Sequence, residues 1–398
     1  MDTTQAGHPR GPTHNSEAAR AAGAAAKPAR DLRLDFFRGL ALFFIFFNHV
    51  PDNEVSWITN RAWGFSDATE IFVFVSGYAA VLAYGGVARR QSYLLASLRI
   101  LKRVWQLYAA HLLLFLAYTA QIAWLATRVG NPMFAEEMAI LDLVRDPQVT
   151  ILQAMLLRFR PVNMDVLPLY IALLAALPFF LWALPRHAVV LLGASLALWA
   201  IAWFGRINLA AWPAEYEWYF NPLSWQLLFV MGAVCAARGD LVSRLFALRR
   251  ILMPLSIAYV VFSLLIVLTW NFPALERLLP NIIERALFPV DKVYLDLLRT
   301  LHFLACAYLV LCFMPAGSRL LRQGWAQPFI IAGKHSLYVF CVGIFLSFTA
   351  HFFLVEIDGS LPAQIGVSLA GVAIMVALGY ALELYRSLEK RPARGGSS

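Results

Sequence analysis

The chain has 398 residues, of which 60% are hydrophobic and only 14% charged, with a net charge of +9. A water-soluble domain of that composition would expose large apolar patches, so the composition excludes one. The basic residues sit in short segments between apolar runs and form no single basic patch, which excludes a nucleic-acid partner.

In chain order, residues 1–32 are rich in Ala, Gly, Pro, Thr and Arg and lack the apolar core of a cleaved signal peptide. They are expected to form a disordered cytoplasmic tail. Apolar runs long enough to cross a hydrocarbon core of ~30 Å then predict helices at about 35–50, 67–86, 104–127, 166–184, 188–205, 221–238, 252–270, 293–314, 329–353 and 361–385. With no water in lipid to satisfy the backbone, such runs must be helical. The expected fold is all-α: a polytopic membrane protein with a bundle of about ten transmembrane helices over 33–386, and a short tail at 387–398. The segment 128–165 has apolar residues at helical spacing (Met138, Leu141, Val144, then Ile151, Met155, Leu156), which predicts an interfacial or re-entrant helix.

The lysines and arginines give the orientation. With the N-terminus in the cytoplasm, 21 basic residues fall in cytoplasmic segments. Nine fall opposite: Arg61, Arg128, Arg145, Arg158, Arg160, Arg206, Arg277, Arg285 and Lys292. That bias follows the positive-inside rule and, with an even number of spans, puts both termini in the cytoplasm. Cys235, Cys306, Cys312 and Cys341 all lie in apolar runs without metal-ligand spacing, so neither a disulfide framework nor a metal site is expected.

Polar groups inside the membrane are costly and therefore informative. Arg38 and His49 on the first helix lie three turns apart on nearly one face, ~16 Å along the axis. They read either as a snorkelling arginine and a packed histidine, or as two parts of one path. Asp67 and Glu70 share a face at the start of the second helix, where they either complement the helix terminus or orient His49. Asp296, Arg299 and His302 are spaced i, i+3, i+6, with Asp296 the expected partner of Arg299. That trio reads as structural glue or as part of an acceptor site. Lys334, with Arg319 and Arg322, sits at the depth of Arg38. Topology alone places basic residues there, although they would also suit the phosphates of a nucleotide-like donor. Trp57, Trp63, Trp212, Trp218 and Tyr219 fit an interfacial aromatic belt, or stacking on sugars.

Arg38-Gly39-Leu40 followed by His49 resembles the Arg-x10-His signature of the transmembrane acyltransferase 3 superfamily. The blocks LRLDFFRGLALFFIFFNHVPDN, GFSDATEIFVFVSGY, RPVNMDVLPLY, FNPLSWQLLFVMG and GKHSLYVF, in order between Arg33 and Leu384, resemble OpgC proteins. The resemblance implies a bacterial inner-membrane O-acyltransferase with succinyl-CoA as donor, an osmoregulated periplasmic glucan as acceptor and no permanently bound cofactor. By position it gives His49 to catalysis and Arg38 to donor handling. Beside them, Asp67 or Glu70 would orient His49, Arg299 would stabilise the oxyanion or hold the succinyl carboxylate, and His302 is a second candidate base. Lys334 and Arg322 would join Arg38 at the donor, and Arg160, Asn163, Asp165 and Trp57 would meet the acceptor. Two other readings are an O-acetyltransferase of another surface glycan or lipopolysaccharide, and a glycan or lipid transporter. The latter would show inverted repeats, and none is visible.

Overall fold

The computed structural model describes residues 31–276, 287 and 290–389. Most of both expected tails, together with Arg277 and Arg285, lies outside the described residues.

Among the described residues there is no β-strand, and each expected span contains a helix. The principal helices are α1 (Leu32–Asn48), α2 (Ala68–Ala80, continued by a π-turn to Arg90), α3 (Tyr93–Val129), α4 (Val166–Gly205), α5 (Pro222–Ala237), α6 (Gly239–Ala247), α7 (Arg249–Asn271), α8 (Leu297–Phe313), α9 (Gln327–Lys334), α10 (Ser336–Glu356) and α11 (Leu361–Glu389). Six are long and apolar enough to cross a membrane by themselves: α2 with its continuation, α3, α4, α7, α10 and α11. The pair α5–α6, bent by 92°, makes a seventh if it counts as one span. Alone, α1, α5 and α8 have 17, 16 and 17 residues, roughly 25 Å each at 1.5 Å per residue, short of a full crossing. The protein is thus a helical membrane protein.

Local chemistry fixes the helix ends. Asp67 caps α2 in a capping box, accepting from the Thr69 N–H while Glu70 accepts from the Asp67 N–H. Gly130, at φ +65°, terminates α3 in the left-handed conformation that glycine adopts without strain. Asn221 caps α5 just ahead of Pro222, and Asp296 caps α8 through the Leu298 N–H. The segment after α3, where an interfacial or re-entrant helix was expected, forms three short helices, Met133–Glu137, Leu141–Arg145 and Pro147–Met155.

The 40-residue α4 is not one straight rod. His187 has non-helical torsions two residues after Pro185, whose ring removes a backbone donor. The residues flanking its two ends meet: Trp212 N–H donates to the Arg158 carbonyl at 3.0 Å. The element therefore doubles back as two arms, matching the separate segments expected at 166–184 and 188–205.

Two glycine crossings set the tightest contacts. A Cβ on Gly39 of α1 would strike the Phe329 carbonyl of α9, and one on Gly333 of α9 the Asp35 carbonyl of α1. In the same way Gly77 of α2 meets the Phe229 carbonyl of α5, and Gly232 of α5 the Phe74 carbonyl of α2. Small residues let membrane helices approach backbone to backbone, where packing and not water drives association. The segment expected as one helix at 329–353 breaks at His335, between the short α9 and α10. Around these crossings Phe46, Tyr118, Trp225, Phe229 and Phe348 fill the core.

Candidate active site

At the end of the bundle where α1 stops and α2 starts, a cavity of about 820 Å³ opens. His49, one residue beyond α1, lines it together with Arg61 on the turn between α1 and α2 and Asp67 at the α2 cap. The hook before α4 contributes Arg158, Arg160, Asn163 and Asp165, and Lys292 enters ahead of α8. Trp212, Tyr216, Tyr219 and Phe220 add aromatic surface. Donors, acceptors and ring faces together suit a hydroxyl-rich ligand.

Asp67 is the hub of the charges beside the cavity. Its Oδ2 meets Lys292 Nζ at 2.6 Å and Arg299 Nη2 at 3.1 Å, while Oδ1 accepts from the Thr69 N–H at 2.8 Å. Arg299 also binds Glu70, with Nε 2.7 Å from Oε1. Arg299 was expected to pair with Asp296 three residues earlier; Asp296 instead caps α8, and the partners come from α2. Neither Glu70 nor Arg299 lines the cavity. They stand behind Asp67 and support it.

His49 is half-buried, with its Nδ1 sealed from solvent and without a hydrogen-bond partner. Among the described residues no carboxylate bonds its ring; the oxygens of Asp67 and Glu70 are taken by Lys292, Arg299 and backbone amides. Lys292, Arg61 and Asp67 line the cavity with His49 and supply the charges that act on its ring. Its backbone is held from the hook: Asn163, at φ +74°, directs Nδ2 to the His49 carbonyl at 3.4 Å. The hook is itself braced by Arg160, whose Nε donates to Asp165 at 2.8 Å and whose guanidinium lies 4.7 Å from the Trp218 ring centre. Burial raises the Asp165 carboxyl despite Arg160 beside it.

His302 lies elsewhere. Its Nδ1 is 2.7 Å from Ser66 Oγ, its ring packs on Gly64, and it does not line the cavity. Trp57 likewise stays outside, in an aromatic group with Trp63 and Phe272. Arg38, Lys334 and Arg322 gather at the opposite end of α1. Lys334 follows the Gly333 contact with α1 and lies 3.7 Å from Glu383, while Arg322 is exposed next to Leu321, which packs with Phe36. Among the described residues no group of three or more His, Cys, Asp or Glu could hold a metal ion.

A family model described as "OpgC protein" matches residues 30–387, nearly the whole chain. The chain belongs to the OpgC family. Neither the curated proteins nor the solved structures contain a match. Every residue of the cavity and of its supporting charges lies inside the stretch that matches the OpgC family.

Sequence reasoning missed Lys292 and Arg61 as members of this OpgC-family site, although both were counted as basic residues on the poorer side. That scarcity was the available signal: a cation on the side depleted of them needs a reason to be there. Tyr219 and Phe220 flank the Lys292 ammonium, with ring centres 5.8 and 5.3 Å away.

Proposed function

We propose that this OpgC-family protein is a membrane-embedded O-acyltransferase that moves a succinyl group from cytoplasmic succinyl-CoA to hydroxyls of osmoregulated periplasmic glucans. In this reading ten spans keep both termini in the cytoplasm of a bacterial inner membrane. The observation that carries it is His49, a histidine with an unpartnered Nδ1, at the edge of a large cavity of mixed charge and aromatic surface. Family membership supports the same chemistry.

In the proposed reaction a glucose hydroxyl enters the cavity and the thioester approaches along α1 from the Arg38 end. The roughly 16 Å between Arg38 and His49 is within reach of a pantetheine arm. His49 accepts the hydroxyl proton as the oxygen attacks the thioester carbon. The C–O bond forms, the C–S bond breaks, and the leaving thiolate takes the proton back from the imidazolium, giving the ester and free CoA. Asp67 acts on His49 through its charge and not through a direct bond. Lys292 replaces Arg299 as the donor that meets the developing oxyanion, because Lys292 lines the cavity and Arg299 stands behind it on Asp67 and Glu70.

The test compares periplasmic glucans from cells with and without the protein by mass and charge. The expected result is a mass gain of whole succinyl units, each adding one negative charge. Identical glucans in both strains would sink the reading, and a gain of acetyl units would redirect it to another acyl group.

A further inference from the structure

Several cations in and behind the cavity are already committed. Lys292 binds Asp67, Arg299 binds Asp67 and Glu70, and Arg160 binds Asp165. Arg61, Arg145 and Arg158 line the same cavity and make no ion pair among the described residues; of the three, Arg61 sits on the turn bonded beside His49.

Its place is fixed from both sides. Arg61 belongs to the turn Asn60–Ala62. Just before it, Thr59 Oγ1 donates to Asn48 Oδ1 at 3.0 Å, one residue from His49. Asn60 Nδ2 donates to the Ser66 carbonyl at 3.1 Å, one residue from Asp67. After it, Asn271 Nδ2 holds the Ala62 carbonyl at 3.3 Å. The turn is thus stapled to both flanks of the site, and the exposed Arg61 lines the cavity with the histidine and the hub carboxylate.

Lys292, Arg61 and Asp67 line the cavity together with His49, and Lys292 is already bonded to Asp67. A dicarboxylic acyl group brings an anion to this spot, because its free carboxylate sits only two methylenes from the thioester carbon in the succinyl case. A carboxylate that close to the reacting carbon has to find its cation beside His49. Of the cations there, a guanidinium free of other carboxylates is best shaped to take it in a bidentate pair.

We propose that Arg61 is the residue that selects the acyl group, pairing its guanidinium with the free carboxylate of a dicarboxylic acyl donor while the thioester carbon stands at His49. This rests on the acyltransferase reading of the site. The test uses the full-length purified protein with glucan acceptor and two donors of four acyl carbons, succinyl-CoA and butyryl-CoA. The quantity read is the ratio of their kcat/KM values, which does not depend on how much of a variant is folded. Wild-type protein should favour succinyl-CoA, Arg61→Gln should lower the ratio about ten-fold or more, and Arg61→Lys should restore part of it. A ratio unchanged by Arg61→Gln, even with both rates reduced, would overturn the assignment. So would wild-type protein that uses both donors equally well, which would leave acyl transfer itself standing. Transfer from neither donor would overturn the reading of the site, and this assignment with it.

Discussion

Arg299 of α8 and Glu70 of α2 form a contact of 2.6 Å between Nη2 and Oε1, with Glu70 wholly inaccessible and Arg299 only 8% exposed. Replacing one member of such a pair strands the other charge away from water, at a cost of about 3–5 kcal/mol. Arg299→Met should therefore lower the melting temperature of detergent-purified protein sharply. Arg299→Met combined with Glu70→Gln should recover much of the loss. A double variant no more stable than the single one would show that Arg299 has a different principal partner.

The glycine crossings make a prediction in both directions. Gly232→Ala and Gly39→Ala put a methyl against a backbone carbonyl of the facing helix, which cannot move aside as a side chain would. Overpacking of this kind costs about 1–3 kcal/mol. Nothing lies within 4 Å of the corresponding position at Gly193 in α4 or Gly366 in α11. Alanine there should be neutral, or stabilising by about 0.5–1 kcal/mol through reduced freedom of the unfolded chain. Thermal melts of the four variants check this, and equal effects at all four would contradict the close approach.

The helices were legible because lipid leaves the backbone no other choice, and Pro185 marked the fold-back inside α4 without any tertiary information. What pairs with what was not legible. Asp296 sits one turn before Arg299 and was the obvious partner by spacing, yet its carboxylate satisfies the N-terminal amides of α8 while Glu70 and Asp67 arrive from 229 and 232 residues away. Lys292 escaped notice for the same reason, since its value comes from Asp67, far away in sequence. His49 and Asp67 were found because one is a lone histidine ending an apolar helix and the other opens the next one.

At the far end of α1, Arg38 is separated from His49 by three turns and cannot touch the reacting carbon. If it holds the donor's phosphates, Arg38→Ala should raise the KM for acyl-CoA by a factor equivalent to about 1–3 kcal/mol, with kcat largely kept. Arg38→Lys should recover part, since an ammonium supplies charge without the fork. Donor-saturation kinetics on purified protein decide it, and an unchanged KM would remove Arg38 from the donor site.

The two histidines once open as bases are separated by their surroundings. The ring Nδ1 of His49 has no partner to lose, and its backbone is held independently by Asn163, so His49→Ala should fold normally. As the base beside the cavity, its loss should abolish glucan acylation. His302 is buried, bonded to Ser66 and packed on Gly64, away from the cavity. His302→Ala should strand the Ser66 hydroxyl and leave a void, costing about 1–3 kcal/mol, while each folded molecule still acylates. Activity normalised to folded protein, read beside the melting temperature, sorts the cases: His49→Ala should lose rate at normal stability, and His302→Ala stability at normal rate. The reverse pattern would move the base from the end of α1 to α8 and leave the cavity without its catalyst.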